Sequence, residues 1–190
     1  MYFHTLRAAD VARQEEWTGG LPSDLIYSSN ELAGEIGEIQ ELLFEGPPRD
    51  FGPVKSDPLA WLDKLADELA DGIICVDLLA IAADLPEVEY AVSDKPGILT
   101  PRDLGLALGA VTGAGVCNTV KKIERERRGW VGSRATPEQL HTALVSLSCI
   151  IARIASLYAV DLGATVSAKF NKTSEKYGLV TRLAAPGEAS

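Results

Sequence analysis

Several residue types that carry chemistry elsewhere are scarce in this 190-residue chain. There are two histidines, His4 and His141, and neither has a neighbouring Ser, Cys or acid of the kind a nucleophilic site needs. The three cysteines, Cys75, Cys117 and Cys149, lie inside apolar runs with no CxxC or Cys/His cluster. That argues against a disulfide framework or a zinc site and leads us to expect reduced core thiols in a cytoplasmic protein. There is no basic excess: 18 Lys and Arg stand against 27 Asp and Glu, for a net charge of −9. A nucleic-acid platform would carry a basic stripe, so no nucleic-acid partner is expected. The start, MYFHTLRAADVARQEEW, lacks an apolar signal core, and no apolar run reads as long enough to span a membrane, so no membrane role is expected. No segment alternates with period two, which leaves little room for strands.

What is present is helical. Apolar periodicity predicts a first helix near Leu6–Trp17 and a second capped by Ser23 or Asp24 and running to Phe44. EGPPRDFGPVKSDP is a Pro/Gly loop, and Asp57-Pro58 then opens a third helix to about Asp84. After an irregular LPEVEYAVSDKPGIL, Thr100-Pro101 starts a helix reaching Arg128, Thr136-Pro137 one reaching Tyr158, and a last covers Gly163–Tyr177. The expectation is a single all-α domain over residues 1–190, a helical bundle, with a first half at 21–84 and a second at 101–178.

Two acidic motifs sit in these hydrophobic helices: Glu35-x-x-Glu38 in NELAGEIGEIQELL and Glu68-x-x-Asp71 in LADELADGIICVDLLA. Three-residue spacing puts each pair on one helix face. On the third helix that face continues through Cys75, Leu78 and Leu79, which should be buried, so its carboxylates need partners or a metal. Gly34 and Gly37 weaken the second helix and make sense where something packs close to it. A solvated acidic face is the plain alternative. All-oxygen ligands suit a hard cation, Mg²⁺ or Mn²⁺, and a cation cage with open positions suits a polyphosphate.

Positive charge is concentrated in two places. KFNKTSEKYG holds Lys169, Asn171, Lys172 and Lys176, candidates for binding phosphate, against the reading of a basic helix end favoured by the dipole. KKIERERRGWVGSR holds Lys121, Lys122, Arg125, Arg127, Arg128 and Arg134, with Lys121 and Arg125 as the phosphate candidates against a solvated helix end. Trp17, Trp61 and Trp130 lie near helix ends, where a nucleobase can stack, though packing is the default.

NELAGEIGE…DELADGIICVDLLA resembles the MazG-like, all-α nucleoside triphosphate pyrophosphohydrolases, whose signature is ExxE, a spacer and ExxD. EEW, NELAGE, KKIERERRGWVGSRAT, DLGATV and KFNKTSEKYGL further resemble the phage-encoded dATP/dGTP branch, the MazZ type. The resemblance runs from about Glu15 to Leu183. It implies metal ligands at Glu35, Glu38, Glu68 and Asp71, with Glu38 or Glu35 handling the attacking water. Lys169, Asn171, Lys172, Lys176, Asn30, Lys121, Arg125 and Trp17 would meet the substrate. It also implies a Mg²⁺-dependent conversion of a nucleoside triphosphate to monophosphate and pyrophosphate, with dGTP or GTP first and dATP second, in a homodimer or homotetramer, in a host cytoplasm if phage-encoded. A pyrimidine enzyme for dUTP or dCTP, or a non-catalytic metal-binding or interaction module, are the alternatives. In this chain the acids fall in the first half and the basic segments in the second. A shift of 77 sets Glu35 on Thr112 and Glu38 on Gly115, and one of 75 sets Glu68 on Ala143 and Asp71 on Ser146, as in a duplication whose second copy lost its acids.

Overall fold

The computed structural model describes residues 4–19, 24–47, 57–89, 99–130, 132 and 134–184. Ser23, most of the Pro/Gly loop and most of the segment before Leu99 lie outside them. Among the described residues the chain is all helix: α1 (His4–Thr18), α2 (Leu25–Glu45), α3 (Pro58–Ala82), α4 (Pro101–Ala110), a π-helical stretch (Val111–Cys117), α5 (Asn118–Arg127), α6 (Pro137–Leu157) and α7 (Leu162–Lys176). From α4 to α5 the backbone is one unbroken rod.

The helix starts follow local chemistry. Asp24 accepts from the amides of Ile26 and Tyr27, and Asp57 from Leu59 ahead of Pro58. Thr100 with Asp103 and Thr136 with Gln139 form reciprocal capping boxes. Each satisfies amides that an uncapped helix would leave bare.

α3 is the central element and packs against α1, α2, α6 and α7. Leu65, Leu69, Leu79 and Ala80 are fully buried there. Gly72 lets the helices close up: a Cβ at this position would stand 3.2 Å from the Cδ1 atoms of both Ile39 on α2 and Ile151 on α6. Gly115 seats the π-helical stretch against α6, with Ala143 Cβ 3.1 Å from where a Cβ would lie.

Two expectations need correction. Gly34 and Gly37 are exposed, and a Cβ at either meets nothing within 4 Å among the described residues, so no close neighbour in this chain explains them. The rod Pro101–Arg127 and helix Pro137–Leu157 are also long and apolar enough for a membrane span, with mean hydropathies of 1.2 and 1.7. Both place their apolar faces in the bundle core: Leu104 and Leu108 on the first, Leu140, Leu144, Leu147 and Ile151 on the second.

Candidate metal centre and adjoining cavity

α2 and α3 run antiparallel along one groove. Glu35 meets Asp71, the charge of Glu38 bears on Glu68, and Glu31 and Cys75 line one cavity, so residue numbers rise on α2 as they fall on α3. Three of the four sequence-predicted ligands converge: carboxylate oxygens of Glu35, Glu68 and Asp71 all lie within 4.8 Å of one another. Opposite oxygens around an octahedral Mg²⁺ stand about 4.2 Å apart, so small side-chain rotations close this set on an ion, and an all-carboxylate donor set fits a hard cation. Glu38 lies outside this tight group. It is exposed at the rim, near enough for its charge to raise the pKa of Glu35, Glu68 and Asp71.

The electrostatics record the crowding. Burial, then Asp71, Glu38 and Glu68, push the Glu35 carboxyl up to about 7. Burial followed by Glu38 and Asp71 raises Glu68, and burial raises Asp71 against the pull of Lys169. Like charges confined in a partly dry groove hold protons or recruit cations.

Here the chain supplies a cation of its own. Lys169 Nζ on α7 lies 2.6 Å from Asp71 Oδ2 and 3.4 Å from Asp67 Oδ2. Burial lowers the Lys169 pKa, but Asp71 and Asp67 outweigh it and the net shift is upward. Asp67 was not singled out in the sequence. It adjoins Glu68, yet its partners are 102 and 105 residues away, and one of them, Lys172, also reaches it at 3.4 Å.

Of the other α7 candidates, Asn171 points elsewhere and Lys176 lies about two turns beyond Lys169. Asn171 sits about 200° around the helix from Lys169. Its amide is paired with the backbone of Leu183, donating at 2.9 Å and accepting at 2.8 Å, so it anchors the C-terminal segment instead of facing the acids. Lys176 is exposed, with its ammonium 5.2 Å from the Tyr177 ring centroid.

One helical turn along the groove lies a cavity of about 320 Å³, lined by Arg13, Trp17, Tyr27, Glu31 and Cys75 among others. Glu31 is one turn before Glu35 and Cys75 one turn after Asp71, so cavity and acids are continuous, about 6 Å apart along α2. Trp17 is half exposed and its ring centroid lies 4.7 Å from that of Tyr177. Arg13 is buried. Its Nη2 donates to Asp10 at 2.8 Å and its guanidinium lies 3.7 Å over the Phe170 ring, while Nη1 is buried with no hydrogen-bond partner among the described residues. Burial, foremost, raises the Asp10 carboxyl well above its usual range, and Arg13 opposes that rise. Arg13 and Tyr27 had no motif to mark them. The other tryptophans are placed differently: Trp61 meets Tyr158 edge-on, and Trp130 lies under Arg125.

Asn30, Lys121 and Arg125 do come together, but in a second cavity between α2 and α5. Ile26, on its wall, is nine residues before Glu35, about half a turn out of phase, so that cavity opens on the opposite face of α2 from the acids. Within one chain these three expected substrate contacts are therefore not gathered at the acidic groove: the body of α2 stands between.

Comparison with models of protein families, with curated proteins and with solved structures finds no match.

Proposed function

We propose that the groove is the active site of a Mg²⁺- or Mn²⁺-dependent nucleoside triphosphate pyrophosphohydrolase of the MazG-like kind, giving monophosphate and pyrophosphate. The observation that carries the reading is the convergence of Glu35, Glu68 and Asp71 at one end of a groove whose other end is a cavity lined by Trp17, Tyr27 and Arg13.

Glu35, Glu68 and Asp71 would hold the cation. When bound, it would offset phosphate charge and make a coordinated water more acidic. Glu38, at the open rim, is placed to orient a water and accept its proton during attack on the α-phosphorus. Lys169, once off Asp71, and Lys172 supply positive charge for the departing pyrophosphate.

The nucleoside lies in the adjoining cavity with its base on Trp17. The unpartnered Nη1 of Arg13 seeks an acceptor. Guanine presents O6 and N7 on one edge and adenine only N7, which favours dGTP or GTP ahead of dATP.

The test is pyrophosphate release from the eight common nucleoside triphosphates with Mg²⁺. Purine turnover with guanine first supports the reading, and pyrimidine-only turnover transfers the site to a dUTP or dCTP enzyme. Orthophosphate plus diphosphate as products, or no turnover of any, sinks it.

A further inference from the structure

We propose that the cavity between α2 and α5 is a second anion site, separate from the acidic groove, that takes the phosphoryl group of a small molecule. Its volume is about 370 Å³, enough for a nucleotide-sized fragment. One wall is apolar, from Ile26 and Val120, and Asn30 contributes an amide beside it. Lys121, Arg125 and Arg128 bring three cations to the same space. Helical spacing explains this, since Lys121, Arg125 and Arg128 recur at four and three residues along α5 and its end.

The charge balance is what points to a ligand. The chain carries −9 overall, so a cation has acids to spare nearby in most places. The side chains of Lys121 and Arg128 nevertheless make no ion pair or hydrogen bond among the described residues. Glu124, the one carboxylate among the described residues on the cavity wall, pairs with Arg127 at 2.9 Å and not with those cations. Arg125 is braced 5.5 Å over the Trp130 ring, which limits its motion. The helix feeding this wall is π-wound over Val111–Cys117, and Cys117 itself faces the cavity. Such distortions within helices occur often at functional sites.

The ligand chemistry follows from those parts. Two unpaired cations and the ring-braced Arg125, beside an amide, suit phosphoryl oxygens. The apolar wall suits a nucleoside or another uncharged body attached to them. A nucleotide and a free polyphosphate share that chemistry, and the test separates them. The site is independent of the acidic groove, because it lies on the other face of α2 and needs no metal.

The experiment is calorimetric titration of the full chain with ADP and, separately, with inorganic tripolyphosphate, in EDTA so that no cation loads the acids. Saturable binding is expected, weakened tenfold or more in the double variant Lys121→Met/Arg128→Met and unchanged in Asp71→Asn. Both altered cations are exposed, so the variant should fold, which far-UV circular dichroism checks. Tighter ADP than tripolyphosphate would identify a nucleotide ligand, and equal affinities would identify the phosphate chain as what is read. No saturable binding by the wild type, equal binding by the double variant, or loss in Asp71→Asn would each overturn the proposal. Because no turnover is measured, failure here is separate from failure of the pyrophosphohydrolase reading.

Discussion

The ammonium of Lys169 stands 2.6 Å from the carboxylate of Asp71, inside the cluster of acids that would hold a metal ion. Without an ion the chain satisfies part of its acidic groove internally. Cation loading must break or loosen that contact, and the released lysine is then at hand for phosphate.

Replacing Lys169 by Met should therefore split two properties. Removing a positive charge beside the site should strengthen Mn²⁺ binding to the free protein by about tenfold, as expected for a neighbouring unit charge in a partly screened setting. The same variant should lose about tenfold to a hundredfold in kcat/KM, the range for one charge-assisted phosphate contact. Lys172→Ala, with a side chain 74 % exposed, should lose far less. Titration with Mn²⁺ followed by paramagnetic resonance, alongside steady-state kinetics, checks both. Weaker Mn²⁺ binding in Lys169→Met would contradict the account.

Metal binding should also depend on pH through Glu35. Its carboxyl stands near 7 in the folded chain against an ordinary 4.5. Between those values the folded chain holds a proton that the unfolded chain has lost, so apo stability falls as pH rises through this window. Loading a cation requires the ionised carboxylate. Affinity should then weaken as pH drops below about 7, with release of up to about one proton per ion near pH 6 and little above pH 8. Glu35→Gln should sharply reduce that proton release and raise the apo melting temperature at pH 8. Calorimetry in two buffers of different ionisation enthalpy measures the release, and a pH-independent value would refute the role given to Glu35.

Much of this was legible in the sequence. Helix starts at Asp24, Asp57, Thr100 and Thr136 are local signals, because the cap and the amides it serves lie within three residues. The acidic pairs were legible because helical spacing alone aligns them. What failed depends on which faces meet. Lys121 and Arg125 carry the right charge for phosphate, but α5 docks on the face of α2 away from Glu35. Asn171 shares a helix with Lys169 and faces the opposite way, onto Leu183. Gly34 and Gly37 mimic the signature of close packing, yet among the described residues the glycines with close neighbours are Gly72, Gly105, Gly109 and Gly115. Asp67 and Arg13 were invisible because their importance comes from partners on α7 far along the chain.

The cavity beside the acids should read the base. Trp17→Ala should raise KM for dGTP about tenfold or more, since stacking one base on an aromatic ring contributes roughly 1–3 kcal/mol, and Trp17→Phe should recover most of it. Arg13→Lys keeps the charge but loses the planar fork, and should narrow the preference for dGTP over dATP. Competition between the two substrates in one reaction reads the ratio directly. An unchanged ratio in Arg13→Lys together with an unchanged KM in Trp17→Ala would remove the base from this cavity.

The most direct measurement is turnover by Asp71→Asn and Glu68→Gln with Mg²⁺, beside thermal melts of the metal-free proteins. Burial disfavours the charge of both acids, joined by Glu38 and Asp71 at Glu68 and opposed by Lys169 at Asp71, so the folds should survive. The account predicts intact melts and loss of nucleoside triphosphate hydrolysis to background in both variants. Hydrolysis at the wild-type rate by either correctly folded variant would contradict it.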